Sequence, residues 1–169
     1  VPSLDRLVVD CLPDALRFAT RLTGNLDRAE DLVGEGLVRA VRRWSTFRGE
    51  ASFKTWFFKI LINAFRDRCA ATPALEISLA TQDEPGDHGV GDPAAAVMAM
   101  ELEERVAAEV MRLPPRQREV LVLAVYEGLS TTDISQVLGI TAANVHSTLS
   151  LARQQLRARL PQYFGSVGK

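Results

Sequence analysis

Cysteine and histidine are scarce: the 169 residues hold two of each, Cys11, Cys69, His88 and His146. They form no group with zinc-ligand spacing, and so few cysteines exclude a disulfide scaffold. Both cysteines are expected to be plain packing residues in a reducing, cytoplasmic setting. No apolar run reaches the roughly 18 residues of a membrane span, so no membrane insertion is expected. No basic segment followed by an apolar one opens the sequence. No pairing of histidine, cysteine and carboxylate suggests a nuclease or another enzyme, and no metal or cofactor is expected. Lysine and arginine are absent from residues 71–100, where five acidic residues lie: Glu76, Asp83, Glu84, Asp87 and Asp92. Elsewhere the composition is ordinary, with 47% hydrophobic and 24% charged residues, which excludes wholesale disorder.

The overall charge of −1 hides an asymmetry: residues 1–70 carry net +3 and residues 101–169 net +1. The acidic stretch between them also holds Pro73, Pro85, Gly86, Gly89, Gly91 and Pro93 and has no apolar period. It reads as a flexible acidic linker over residues 71–93. The expected fold is all-α, with a small helical domain at 1–70 and a second, helix-turn-helix domain at 94–169. A tether of this kind predicts mobile domains whose relative geometry depends on the partner.

In the first block, Leu4, Leu7, Val8, Cys11 and Leu12 recur at helical spacing. Pro13 is expected to interrupt that helix and open the next, which ends at Gly24. Asp27, with Glu30 three residues on, is expected to cap a helix to about Arg43. Its apolar positions are Leu32, Val33, Leu37, Ala40 and Val41, and Gly34 and Gly36 are expected to loosen it. Ser52 caps a third helix with Phe53, Trp56, Phe57, Ile60, Leu61 and Ala64 on its buried stripe. Seven of the eleven aromatics fall between Trp44 and Phe65, among Arg42, Arg43, Arg48, Lys54, Lys59, Arg66 and Arg68. Such a cluster is either core or a surface on which unpaired bases stack.

In the second block, one helix spans Val97 to Val110, Pro114 and Pro115 break the chain, and another helix runs to Gly128. Ser130 and Asp133 form a capping box for a short helix from Thr131 to Leu138. Gly139 allows a tight turn. A longer helix follows from Ala142, with Val145, Leu149, Ala152, Leu156 and Leu160 as its core stripe. This order suits a helix that enters the DNA major groove.

Four stretches together resemble the extracytoplasmic-function (ECF) sigma factors, the minimal two-domain branch of the sigma-70 family. They are Leu22-Thr23-Gly24-Asn25 leading into Ala29-Glu30-Asp31-Leu32-Val33; Trp44 to Gly49 with Phe53-Lys54-Thr55-Trp56, Ile60 and Asn63; Leu113 to Val120; and Tyr126 to Ser130 with Asp133-Ile134 and Leu138-Gly139-Ile140. The resemblance implies a non-enzymatic protein that binds core RNA polymerase and promoter DNA, with an anti-sigma factor as a further partner. It places polymerase docking, on the β′ coiled coil, at Asp31, Leu32, Val33, Glu35 and Arg39. It places the −10 surface at Phe47, Lys54, Trp56, Asn63, Arg66 and Arg68. The second domain, which also meets the β flap, would read the −35 element through Thr141, Asn144, His146, Ser147, Thr148, Leu151 and Arg153.

Two departures accompany the match. Gly34 and Gly36 stand where the family has Gln and Thr. His146, Thr148 and Leu151 stand where it tends to have Lys or Arg, leaving Arg153 and Arg157 on the recognition helix. Fewer phosphate contacts predict weaker, less salt-dependent DNA binding. That weakness admits an alternative, a sigma-like decoy that sequesters an anti-sigma factor without productive promoter binding.

Overall fold

A computed structural model describes residues 3–71 and 93–161 of the chain. The first helical unit comprises α1 (Leu4–Thr23), α2 (Leu26–Arg43) and α3 (Phe53–Ala71), with a short 3₁₀ turn at Trp44–Thr46. The second comprises α4 (Pro93–Met111), α5 (Pro115–Leu121), a π turn (Val122–Tyr126), α6 (Thr131–Leu138) and α7 (Ala142–Arg159). The described residues are helical without strands, as the hydrophobic periods predict. The expected linker, apart from its end residues Ala71 and Pro93, lies outside the described residues.

Pro13 does not interrupt α1, which runs unbroken through it. Pro13 and Val9, whose carbonyl the proline cannot meet, are both solvent-exposed, so the unpaired oxygen lies on the water side. The cap of α2 is Asn25 rather than Asp27: its side chain accepts the Arg28 N–H at 3.0 Å. Gly24, at φ 68°, turns the chain into that cap and donates its N–H to Thr20 O. Ser52 does cap α3, accepting the Thr55 N–H at 3.1 Å.

The core of the first unit is aromatic and closely spaced. Phe18 of α1 stacks on Phe58 of α3 with centroids 4.4 Å apart, both fully buried. A Cβ on Gly36 would lie 2.4 Å from Leu61 Cδ2, so the glycine allows α2 to approach α3. It is there for contact rather than looseness. Gly34 faces open space. Val41, expected on the buried stripe, is 63% exposed and lies near the exposed Val38. Cys11 is buried, but Cys69 is exposed and so is not a packing residue.

In the second unit, Ser130 accepts the Asp133 N–H, and its hydroxyl donates to the Asp133 carboxylate at 2.6 Å. Gly139 adopts φ 66° between α6 and α7, the turn that the sequence predicts. The helix begun by α5 does not finish as an α-helix. Glu127 N–H bonds to Val122 O, five residues back, which closes the π turn.

The two units pack together, α6 lying across α3 and the end of α4 against α1. At the α1–α4 contact, a Cβ on Gly24 would lie 2.8 Å from Met111 Cε. Beside it the buried Arg118 guanidinium donates to Leu22 O at 3.0 Å, Leu113 O at 3.3 Å and Met111 O. Leu22 and Met111 end two helices, whose negative dipole ends suit a cation. Arg21 lies 4.2 Å over the Tyr126 ring, and Thr55 Oγ1 lies 3.4 Å from the Asp133 carboxylate.

Candidate nucleic-acid interface

The aromatic patch forms where the 3₁₀ turn folds back on the start of α3. Trp44, Phe47, Phe53 and Trp56 meet with centroids 5.2–6.4 Å apart. Phe53 is buried, while Phe47 and Trp56 are half-buried and keep part of their rings accessible. They border a cleft of about 270 Å³ with Arg48 and Lys59, and Gln136 of α6 forms part of its wall. The patch is therefore both core and surface. Asn63 lies seven residues after Trp56, on the same side of α3, half-buried and without a side-chain hydrogen bond among the described residues.

The three cations assigned to this surface are all engaged. Lys54 pairs with Asp14 at 2.9 Å and with Glu127 at 3.1 Å. Burial pulls the Lys54 pKa down, but bonds to Asp14 and Glu127 outweigh it and hold the ammonium above its usual range. Arg66 forks onto Glu119 with bonds of 3.1 and 2.7 Å. Glu119 and Glu127 belong to the second unit and are almost fully buried. Arg68 turns the other way, to Glu35 and to Asp31 O on α2.

On α2, Asp31 is exposed, whereas Leu32 and Val33 are buried in the core and present nothing to a partner. Glu35 and Arg39 join a network with Arg68 and Asp67 that ties α2 to α3. The Arg68 hydrogen bond, with Arg39, holds the Glu35 carboxyl below the usual range despite some burial. The large apolar residues that this helix exposes are Leu26, Val38 and Val41, the last two on the same side as Asp31.

On the second unit, Thr141 caps α7 by accepting the Asn144 N–H, and the Ser147 hydroxyl donates to Asn144 O. Thr141, Asn144, His146, Ser147, Leu151 and Arg153 are exposed, and Thr148 is half-buried. His146, Ser150, Arg153, Gln154 and Arg157 share one groove of about 450 Å³ along α7. Neither Arg153 nor Arg157 has a hydrogen-bond or ion-pair partner among the described residues. Leu151 does not line this groove and is 51% exposed. Ser150 and Gln154 escaped the sequence reading, although their spacing from His146 and Arg153 places them on that face.

Arg118, Glu119 and Glu127 were also missed as functional candidates. Arg118 and Glu119 lie in the polar run Arg116-Gln117-Arg118-Glu119, which carries no local signal that two of its charges are buried and paired.

Family comparisons follow the same division. The family model described as Sigma-70 region 2 matches residues 7–72, and Sigma-70, region 4 matches residues 103–156. The ECF RNA polymerase sigma factor EcfG of Rhodopseudomonas palustris is 32% identical over 164 residues, covering 95% of this chain and 88% of its own. The RNA polymerase sigma-H factor of Pseudomonas aeruginosa is 28% identical, covering 91% of this chain and 84% of its own. Among solved structures, the sigma factor RpoE in complex with the anti-sigma factor NepR, from Bartonella quintana, is similar with TM-score 0.76 at 25% identity, over 95% of this chain and 98% of that one. CnrH in complex with the cytosolic domain of CnrY gives TM-score 0.66 at 26% identity, over 94% and 87%. With both regions in sequence order and a relative at 32% identity along nearly the whole chain, the protein belongs to the ECF sigma factors of RNA polymerase.

Proposed function

We propose that this chain binds core RNA polymerase and directs it to promoters, with residues 1–70 and 94–169 acting as its two functional units. The observation that carries this is the ordered match to regions 2 and 4 across nearly the whole chain. The exposed side of α2 docks on polymerase, on the β′ coiled coil, through Asp31 with Val38 and Val41, while Glu35 and Arg39 hold that helix to α3. Phe47 and Trp56 stack unpaired bases of the −10 element, Asn63 reads a base edge, and Lys54 and Arg66 meet phosphates. The second unit docks on the β flap and presents α7 to duplex −35 DNA, with Arg153 and Arg157 as the main phosphate contacts.

An anti-sigma factor completes the set of partners. Support comes from the similar solved structure of the sigma factor RpoE, which is in complex with the anti-sigma factor NepR. The test of function is reconstitution with core polymerase and run-off transcription on a genomic promoter library. Specific transcripts are expected. The decoy reading is favoured by one observation, the shortage of cations on α7. It expects no specific transcripts and a stable complex with an anti-sigma factor.

A further inference from the structure

We propose that α7 selects A·T base pairs, with Asn144 taking an adenine edge and Leu151 and Thr148 the methyl of a neighbouring thymine, so that this chain reads its duplex element without guanine contacts. The inference rests on the reading of α7 as the helix that meets −35 duplex, and it adds which base pairs that helix takes.

The sides of α7 divide its chemistry. Val145, Ala152 and Leu156 are buried where the helix packs against α4, α5 and α6. His146, Arg153 and Arg157 share a second side and line the groove of about 450 Å³. Asn144, Thr148 and Leu151 are four and three residues apart, which places them together on a third side, and none of them lines that groove. Asn144 and Leu151 are exposed, and Thr148 is half-buried. Ser147 stands between these two outer sides, opposite the buried stripe.

What this leaves for base edges is neutral. The N-terminal part of a helix in the major groove is the part that reaches the bases. From Ala142 to Ala152, α7 has no lysine or arginine. Guanine presents two acceptors, N7 and O6, and is read by the paired donors of such a cation. The two guanidiniums of the groove stand further along, to one side, where they suit the phosphates of one strand. The Asn144 side chain has no hydrogen bond among the described residues. Its amide offers a donor and an acceptor together, the match for adenine N7 and N6–H. The Ser147 hydroxyl donates its one proton to Asn144 O at 3.2 Å, so it can accept from an amino group but offers nothing to guanine N7 or O6. Leu151 is 51% exposed, and the thymine methyl is the apolar group that the major groove offers it. Seven residues of helix separate Asn144 from Leu151, about 10 Å, which spans about three base pairs.

The test is selection by the full chain, at low ionic strength, from a library of short duplexes with a randomised centre. The recovered pool should be enriched in a short A·T run and not in guanine on the strand that is read. Deoxyuridine in place of the selected thymine removes only the methyl and should weaken binding about fourfold. The Thr148→Ser, Leu151→Ala variant should bind the two duplexes alike. Asn144→Ala should lose about tenfold in affinity for the selected duplex and keep its salt slope, since an amide neutralises no phosphate. Leu151→Arg should bring guanine into the recovered pool. A pool enriched in guanine by the parent chain, or equal binding of thymine and deoxyuridine duplexes, overturns the base assignment. If Arg153→Ala with Arg157→Ala weakens duplex binding but the parent's pool shows no base preference, α7 meets the duplex and the base assignment alone falls. If that variant binds duplex as the parent does, the −35 reading of α7 falls and the base assignment falls with it.

Discussion

The two surfaces assigned to DNA differ in what their cations do before any DNA arrives. On α3, Lys54 and Arg66 are paired across the interface with nearly buried carboxylates. On α7, Arg153 and Arg157 stand in an open groove with no partner among the described residues. The number of cations on a surface is therefore a poor measure of its readiness. The α3 surface has more chemistry but must first exchange partners. The α7 surface is available at once but offers few phosphate contacts, so it should hold duplex weakly.

The most damaging way to break the contrast is to remove the residue that holds the units together. Arg118→Met deletes a buried guanidinium and leaves three carbonyls, of Leu22, Met111 and Leu113, without it. A loss of about 3 kcal/mol or more is expected in urea unfolding, with the two units melting separately. A single transition at unchanged midpoint would show that Arg118 does not couple them.

A smaller effect separates the two glycines of α2. Gly36→Ala should cost about 1–2 kcal/mol, because its Cβ meets Leu61, less the gain in helix propensity. Gly34→Ala meets nothing and should stabilise by up to about 1 kcal/mol. Thermal melts of the pair decide this, and effects of the same sign would refute the close approach.

The availability of α7 is tested by salt. Arg153→Ala with Arg157→Ala should flatten the salt dependence of duplex binding by about two units of slope. Lys54→Ala should leave that slope as it is, since Lys54 faces the other unit. An equal change from both would dissolve the distinction between the surfaces.

The smallest effect concerns Glu35, whose carboxyl is held below its usual range by Arg68 and Arg39. A carboxyl depressed in the folded state stabilises fully above its unfolded pKa, and that stability is lost as pH falls through the folded value. Glu35→Gln should thus be destabilising near neutral pH and lose its effect in acid. A difference from the parent that persists unchanged into acid would count against the network.

Local structure was largely legible in the sequence. Ser52, Ser130 and Gly139 announce their helix ends because capping and turn chemistry act over three or four residues. Asp27 misled because Asn25 stands two residues earlier and follows a glycine that sets the chain's entry. Pro13 misled because a missing hydrogen bond matters little on the water side. Leu32 and Val33 carry a family resemblance, yet their burial shows that resemblance in sequence does not distinguish a contact from its support. The pairing of Arg66 with Glu119 spans 53 positions and follows no helical period, so nothing local announces it. The same holds for Arg118, which a reading by composition counts as surface charge.

The π turn at Val122–Tyr126 has a consequence for how this protein can change over generations. A π turn is one residue more than an α-helix needs, and each residue advances a helix by about 100°. Tyr126 over Arg21 and Glu127 beside Lys54 both lie at its end. Deleting a single codon within the turn would restore a regular helix and swing both side chains roughly a quarter of the way round its axis. This part of the grip between the units can therefore be lost, or regained, by one small insertion or deletion, without replacing any residue assigned to DNA.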